Sequence, residues 1–213
     1  MKKYLDLRKK NNYNKIKKIA LMARDGGIVV FPTETVYGIG TNALNEEAVK
    51  KIYDIKKRPL SKPISLLVSD IDMIEKVTKD ITDLEYALIE NFFPGPLTII
   101  LNKTDIVPEI VTAGANTVGI RMPANEIALK LIEYAGVPIA TPSANISGEP
   151  SGTELNNIMK EFGESVDYYI DGGKSKIGLA STIVQVIEGV PNILREGYIS
   201  KEQIEKFCEK YKN

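Results

Sequence analysis

The chain has 213 residues, 43% of them hydrophobic and 26% charged, with 28 basic side chains balancing 28 acidic ones. These values are typical of a soluble globular protein, and we expect a single domain over residues 1–213. Because the formal net charge is zero, any basic binding site must be local rather than a property of the whole surface.

The sequence contains no histidine and one cysteine. The absence of histidine excludes a Ser-His-Asp triad and a histidine-ligated zinc site. Cys208 has no second cysteine with which to form an internal disulfide, which is consistent with a reducing compartment. The N-terminus is polar and no apolar run approaches the roughly 20 residues of a membrane span, so we expect a cytoplasmic protein without a membrane partner.

Short β-branched runs alternate with amphipathic segments along the whole chain. The runs that predict strands are 26–31, 64–68, 97–101, 117–122, 137–141, 181–187 and 192–196. Apolar residues at helical spacing predict helices in 45–57, 83–93, 125–136, 154–163 and 200–212. This alternation predicts an α/β fold, with one twisted sheet of mixed parallel and antiparallel strands and helices packed on it.

Two further patterns refine this prediction. The last two predicted strands follow each other without a helix, so we expect an antiparallel hairpin and not a purely parallel sheet. The nucleotide-binding patterns GxGxxG and GxxxxGK[ST] are absent from the sequence.

Polar side chains cluster directly after the first predicted strand, in FPTETVYGIG (31–40). Thr33, Glu34 and Thr35 stand where the strand ends, and the two glycines that follow allow close backbone approach. Hydroxyl groups in this position either bind a small polar ligand or satisfy their own backbone in a turn. The residues alone leave both interpretations open.

The first predicted helix ends in a cationic cluster. Asn45 is its expected N-cap. Lys56, Lys57 and Arg58 fall in its last turn, where cations complement the helix C-terminus in solvent. However, RPLSKPISLLV returns the chain at once to a strand, so Arg58 and Lys62 are also positioned to clamp phosphates near the sheet.

A polar loop follows the predicted strand 137–141 and begins with Ser143 and Asn145. Ser151 stands three residues before Glu154, which predicts a capping box at the start of the next helix. The N-terminus of a helix approached by glycine is also an anion site, so capping and ligand binding are compatible.

Two arginines, Arg121 and Arg195, stand in or at the end of apolar strands. A long cation is costly there unless it pairs with a carboxylate, a phosphate or a carbonyl group. A structural ion pair and an anionic ligand are both open explanations. Ser181 and Thr182 either begin a strand or add hydroxyl groups to such a site.

The order of these motifs resembles the YrdC-type L-threonylcarbamoyladenylate synthase family. The resemblance runs from about Lys15 to Ile199, and it includes the KxR pattern at 56–58 and the SxN pattern at 143–145, which are diagnostic of the family. It implies a nucleotidyltransferase that condenses L-threonine, bicarbonate or CO2 and ATP into threonylcarbamoyl-AMP and pyrophosphate. A downstream transferase complex would then modify tRNAs that read ANN codons.

The resemblance also implies which residues form the site. The expected L-threonine ligands are Thr35, Leu67, Arg121, Thr141 and Ser181. The expected ATP ligands are Lys56, Arg58, Lys62, Thr117, Ser143, Asn145, Ser151 and Arg195. Of these, Lys56 and Arg58 are the expected catalytic cations. No protein ligands for a metal are expected, since Mg2+ would be carried by the phosphates.

This chain departs from some relatives, which have a histidine near the threonine where it reads Ile64 to Leu67; a contact at Leu67 would then be apolar or from the main chain. The chain ends one helix after LREGYIS, so we expect the short form of the family.

One alternative function is a double-stranded RNA or tRNA-binding module without catalysis, although the neutral net charge argues against it. Another is the related hydrogenase-maturation domain, which adenylates a carbamoyl group within a much larger chain.

Overall fold

The computed structural model describes residues 4–8 and 13–211. The remaining residues include both ends of the predicted domain interval and residue 212 of the predicted last helix, so these parts of the predictions lie outside the described chain. No helix in the described ranges is long and apolar enough to cross a membrane.

The described chain alternates strands and helices. The strands are β1 (Tyr4–Asp6), β2 (Val29–Phe31), β3 (Gly38–Asn42), β4 (Leu66–Leu67), β5 (Leu97–Asn102), β6 (Thr117–Arg121), β7 (Ile139–Ala140), β8 (Tyr168–Asp171), β9 (Thr182–Ile187) and β10 (Val190–Arg195). The helices are α1 (Tyr13–Arg24), α2 (Glu46–Lys56), α3 (Ile71–Val77), α4 (Asp83–Phe92), α5 (Glu109–Thr112), α6 (Glu126–Ala135), α7 (Leu155–Phe162) and α8 (Lys201–Tyr211).

These strands form one mixed sheet in the order β1-β8-β2-β3-β7-β4-β6-β5-β9-β10. Pairs such as β4 with β6 and β5 with β9 are parallel, whereas β3 with β7 and β5 with β6 are antiparallel. The predicted α/β class with a mixed sheet is therefore confirmed. The predicted hairpin is confirmed as well, since β9 and β10 pair antiparallel.

The central strands are buried because their side chains are apolar on both faces of the sheet. Val30, Ile39, Leu66, Ile99 and Ile120 have no exposed surface. Helices cover the sheet, with α1 packed against α6 and α2 against β3. The apolar stripe of α2 is buried, and Asn45 caps that helix through its side chain, which accepts from the amide of Ala48.

Some elements differ from the sequence predictions. Strands β1, β3 and β8 and helices α1, α3 and α5 were not predicted; β3 in particular is rich in glycine, which weakens strand propensity. The prediction of a capping box at Ser151 is wrong. Helix α7 begins at Leu155 with Glu154 as N-cap and without a side-chain cap. The physical reason is that the backbone here is paired elsewhere, since Gly152 accepts from the amide of Tyr37 and Thr153 from that of Ser175.

Register across the sheet places several polar residues on one face. Leu67 of β4 pairs with Arg121 of β6, and Ile183 of β9 pairs with both Thr98 and Arg195. Since paired residues on neighbouring strands point to the same side, these five side chains form a continuous row. This row is the floor of the candidate site.

Candidate functional site

A cleft lies over this row of side chains, and loops from both halves of the sheet wall it. The segment after β2 contributes Thr35 and Val36, and the segment after β7 contributes Thr141 to Ser143. The loop before β4 adds Pro63 to Ser65, and the chain before β9 adds Ala180 and Ser181. Residues distant in sequence therefore surround one space.

Glycines on these strands make room for the side chains that form the cleft. A Cβ atom at Gly119 would lie 2.8 Å from Ser65 Oγ, and one at Gly38 would lie 2.5 Å from Thr141 Cγ2. A Cβ at Gly40 would come within 2.8 Å of Thr141 Oγ1. Any larger residue at these positions would push side chains of the cleft out of place.

Most of the predicted site residues line this cleft. They are Thr35, Arg58, Leu67, Arg121, Thr141, Ser143, Ser151, Ser181 and Arg195. The other four, Lys56, Lys62, Thr117 and Asn145, are not part of its lining.

Arg121 is buried at the end of β6, yet its guanidinium reaches the cleft. Its Nη2 donates to Thr35 Oγ1 at 2.8 Å, and its Nε donates to the Gly95 carbonyl oxygen at 3.2 Å. The same Nη2 lies 2.8 Å from Glu34 Oε1. The structural ion pair considered from the sequence is thus present, and the guanidinium also lines the cleft.

Arg195 and Ser181 are joined directly. Arg195 Nη2 donates to the Ser181 carbonyl oxygen at 2.8 Å, and its Nε donates to the same oxygen at 3.2 Å. The Ser181 hydroxyl lies 2.9 Å from Thr98 Oγ1 in a buried hydroxyl pair. Predicted ligands of threonine and of ATP therefore meet at this edge of the cleft.

Arg58 leaves the end of α2 and bends over the loop that follows. Its Nε donates to the carbonyl oxygen of Lys62 at 3.1 Å, and its Nη2 donates to that of Pro63 at 2.8 Å. Burial lowers the pKa of Arg58. Partial burial, together with the charges of Arg121 and Arg58, lowers the pKa of Arg195. Arg195 is thus close enough to Arg121 and to Arg58 to be repelled by both, and an anion beside Arg195 would relieve that repulsion.

Lys56 is almost completely buried, with 1% of its surface exposed. Its Nζ donates to the carbonyl oxygen of Ser143 at 2.6 Å and also to that of Asn145. Burial, with a smaller contribution from Arg58, lowers the pKa of this ammonium to about 8. Lys56 therefore supports the SxN loop from beneath.

The SxN loop is also held by its own side chains. Ser143 Oγ donates to Asn145 Oδ1 at 2.5 Å. The Asn145 amide donates in turn to the carbonyl oxygens of Ile146 at 2.8 Å and Glu149 at 2.7 Å. Asn145 thus shapes the loop, while Ser143 is the member of the pair that lines the cleft.

Lys62 and Thr117 lie outside the lining of the cleft. Lys62 is exposed on the loop that Arg58 holds. Thr117 begins β6 four residues before Arg121, on the same face of the strand and about 13 Å away. Gly119 stands between them, and Ser65 Oγ lies 2.8 Å from the position that a Cβ there would take.

Thr98, Ser65 and Glu34 are not among the residues that the sequence predicts for the site. Thr98 and Ser65 line the cleft, but each is a single polar residue within an apolar run, which is no signal by itself. Glu34 was recognised as part of a polar cluster, but its contact with Arg121 depends on the pairing of distant strands. Among the described residues, no three His, Cys, Asp or Glu side chains group so that they could hold a metal ion.

Comparisons with known proteins show which family the chain is similar to. Residues 22–197 match a family model named for Sua5, YciO and YrdC and described as telomere recombination. A threonylcarbamoyl-AMP synthase of Pyrococcus abyssi is 46% identical over 192 residues, which cover 90% of this chain and 56% of the relative. A threonylcarbamoyl-AMP synthase of Bacillus subtilis is 44% identical over 195 residues, which cover 91% of this chain and 56% of that relative.

A solved structure is equally similar. The crystal structure of P. abyssi Sua5 in complex with L-threonine matches with a TM-score of 0.93 at 44% identity, over 96% of this chain and 60% of that one. The chain thus spans a little more than half the length of these relatives.

Proposed function

The chain belongs to the family of Sua5, YciO and YrdC proteins, and from this membership we propose that it acts as an L-threonylcarbamoyladenylate synthase. It would condense L-threonine, bicarbonate or CO2 and ATP into threonylcarbamoyl-AMP and pyrophosphate. The observation that carries the proposal is one cleft in which Arg121, held among hydroxyl groups, faces the same space as Arg58 and Arg195.

The Arg121 side of the cleft suits a hydroxyl-bearing amino acid. A carboxylate would pair with the guanidinium, as Arg side chains favour planar anions. Thr35, Thr141 and Ser181 offer hydroxyl groups for the ammonium and the side-chain hydroxyl of threonine. A site that hydrogen-bonds a hydroxyl discriminates strongly against an amino acid that lacks it. Leu67, buried beside Arg121 in the register, offers an apolar surface for the methyl group.

The Arg58 side suits the phosphates of ATP. Arg58, Arg195 and Ser143 line the cleft, and in the proposal Lys62 and Thr117 approach the nucleotide from outside this lining. In the proposal, Lys56 contributes to the ATP side of the cleft by holding the SxN loop in place, as Asn145 does from within the loop. Ser151 contributes to the wall of the cleft on the same side. Mg2+ enters only as part of the ATP substrate, and no step is assigned to a metal held by the protein.

The chemistry requires no covalent enzyme intermediate. The neutral amine of threonine attacks the carbon of CO2 or bicarbonate, forming an N–C bond and releasing a proton, with loss of hydroxide when bicarbonate reacts. A carbamate oxygen then attacks the α-phosphorus while the P–O bond to pyrophosphate breaks. Negative charge develops on phosphate oxygens, and fixed guanidinium groups are suited to stabilise it. Positioning replaces the general base that a histidine would supply.

The decisive experiment measures pyrophosphate release from ATP with L-threonine and bicarbonate, together and singly, with mass spectrometry of the product. We expect release to require both and threonylcarbamoyl-AMP to be detected. Release without threonine, or no release from protein that binds ATP, would overturn the proposal. Binding of duplex RNA without turnover would favour the RNA-binding alternative.

The cellular context belongs to the same proposal. Threonylcarbamoyl-AMP is a reactive mixed anhydride, so a transferase that accepts a threonylcarbamoyl group must consume it. We place that transfer on tRNAs that read ANN codons, and the reaction in the cytoplasm, where ATP and tRNA are available.

A further inference from the structure

Glu34 is a buried carboxylate to which the proposed reaction gives no role. Its side chain is 7% exposed, and its Oε1 lies 2.8 Å from Arg121 Nη2. A buried carboxylate is costly unless a cation compensates it, and a buried guanidinium has the same requirement. The two residues therefore depend on each other.

The geometry of the contact shows that charge, more than hydrogen bonding, joins the pair. Neither carboxylate oxygen of Glu34 has a hydrogen-bond partner among residues 4–8 and 13–211. The directed bond of Arg121 Nη2 goes instead to Thr35 Oγ1, at 2.8 Å. A bidentate Arg–carboxylate fork, which is frequent in strong pairs of this kind, is not formed.

The segment that carries Glu34 is fixed in place. The Glu34 carbonyl oxygen accepts from the amide of Ile177 at 2.9 Å, and that of Thr35 accepts from Gly178 at 2.9 Å. Within the same short segment, Thr33 Oγ1 donates to the Val36 carbonyl oxygen at 2.6 Å. The backbone that carries Glu34 is thus held in place by partners other than Arg121.

We propose that Glu34 is a positioning residue that holds the Arg121 guanidinium in the orientation that receives the threonine carboxylate. The proposal rests on the proposed function and deepens it. Arg121 shares the cleft with Arg58 and Arg195, and the charges of Arg121 and Arg195 repel each other. Glu34 offsets that repulsion from behind, while Thr35 and Gly95 fix the rotation of the guanidinium.

The test compares steady-state kinetics of the wild type with Glu34→Gln, which keeps the shape and removes the charge. We expect the KM for L-threonine to rise about tenfold, with kcat and the KM for ATP changed less than about twofold. Glu47→Gln, at an exposed position on α2, is the matched control and should change none of these values. An equal rise in both KM values, or no change in either, would overturn the proposal.

A double-mutant cycle with Arg121→Lys shows whether Glu34 acts through the arginine. If it does, adding Glu34→Gln to Arg121→Lys weakens threonine binding little further, whereas independent roles give additive losses and contradict the inference. As a competing analogue of threonine we choose 3-hydroxybutyrate, which has the carboxylate and hydroxyl but no amine, and we expect its inhibition to weaken in parallel with threonine binding. Unchanged inhibition would assign Glu34 to the ammonium instead and overturn the proposal.

Folding and turnover are controlled separately. Glu34→Asp retains the charge and should bind threonine more tightly than Glu34→Gln does. If Glu34→Gln proves too unstable to assay, Glu34→Asp can still be compared with the wild type. Calorimetric titration of L-threonine without ATP tests the pair independently of catalysis. Failure of the wild type to release pyrophosphate would therefore refute the synthase, whereas unaltered threonine binding in the Glu34 variants would refute only the positioning role.

Discussion

Three arginines reach one cleft from three different elements. Arg58 follows α2, Arg121 ends β6 and Arg195 ends β10. Each donates to oxygen atoms of neighbouring residues, which fixes its direction before any ligand arrives. Preorganised cations of this kind cost no reorganisation when charge develops in the transition state. At the scale of the residue, the site is thus adapted to bind anions without a histidine.

Arg58→Ala tests the catalytic contribution of one of these cations. We expect the fold to persist and kcat to fall by about 100-fold, because a cation that stabilises developing phosphate charge is lost. Lys57→Ala, at the exposed neighbouring position, removes the same charge outside the cleft and should retain nearly full turnover. Circular dichroism and pyrophosphate release measure the two properties, and wild-type turnover in folded Arg58→Ala would remove Arg58 from the chemistry.

At the scale of the element, the pairing of β3 with β7 determines where Thr141 lies. Gly40 and Gly38 present bare backbone toward it, and a Cβ at Gly38 would lie 2.5 Å from Thr141 Cγ2. The glycines that weaken β3 as a strand are therefore needed for the site. The segment is strand despite its poor strand propensity because its backbone pairs with β2 on one side and β7 on the other.

Gly38→Ala should destabilise the protein by about 1–3 kcal/mol through overpacking against Thr141. Thr141→Ser in the same protein removes the methyl group that the new Cβ would meet. The double variant should therefore recover part of the lost stability, as measured by urea unfolding. If Thr141→Ser only adds to the loss, the predicted clash is not the cause.

The end of α2 and the SxN loop form a second pair of linked elements, joined through Lys56. Burial lowers its pKa from the ordinary value of 10.5 to about 8. Between these values the unfolded chain binds more protons at this position than the folded protein does, so stability rises with pH. Above about pH 8 the folded protein holds Lys56 as a neutral amine. This amine still has two N–H groups to donate to the carbonyl oxygens of Ser143 and Asn145.

The free energy of unfolding of the wild type, relative to that of Lys56→Met, should increase by at most about 1.4 kcal/mol for each pH unit between about pH 8 and pH 10.5. Urea unfolding of both proteins across this range measures the difference, in which the other titrating groups largely cancel. A difference that is constant or falls with pH would show that the folded protein holds this proton as tightly as the unfolded chain does.

At the scale of the whole molecule, charge is balanced overall but concentrated locally. The formal net charge is zero, while Arg58, Arg121 and Arg195 line one cleft. Electrostatic attraction is therefore directed at a small anion and not at a long polyanion, which needs an extended basic footprint.

Duplex RNA should consequently bind weakly, with no saturation below about 10 μM at physiological salt. Fluorescence anisotropy of a labelled duplex between about 50 and about 200 mM salt measures this. A tight complex whose affinity falls steeply over that range would contradict the prediction and support the RNA-binding alternative. Pyrophosphate release under the same conditions serves as the control for active protein.

Much of the architecture was predictable because it depends on local periodicity. The amphipathic spacing predicted α2, α4, α6, α7 and α8, and β-branched runs predicted seven strands close to their observed positions. The extent of β4 and β7 was not predictable, since each is two residues long and is limited by its neighbours. The capping box failed for a related reason, as distant backbone partners hold Gly152 and Thr153.

Local sequence patterns were sufficient to predict the class of fold, to exclude histidine chemistry and to identify the polar residues available for a site. Which of those residues meet depends on how the strands are arranged in space. Thr35 and Arg121 are 86 positions apart and hydrogen-bonded, whereas Lys56 lies beneath the loop that it was expected to accompany in the cleft. Periodicity is a property of neighbouring residues, but a site is formed by strand order and register, which depend on the packing of the whole sheet.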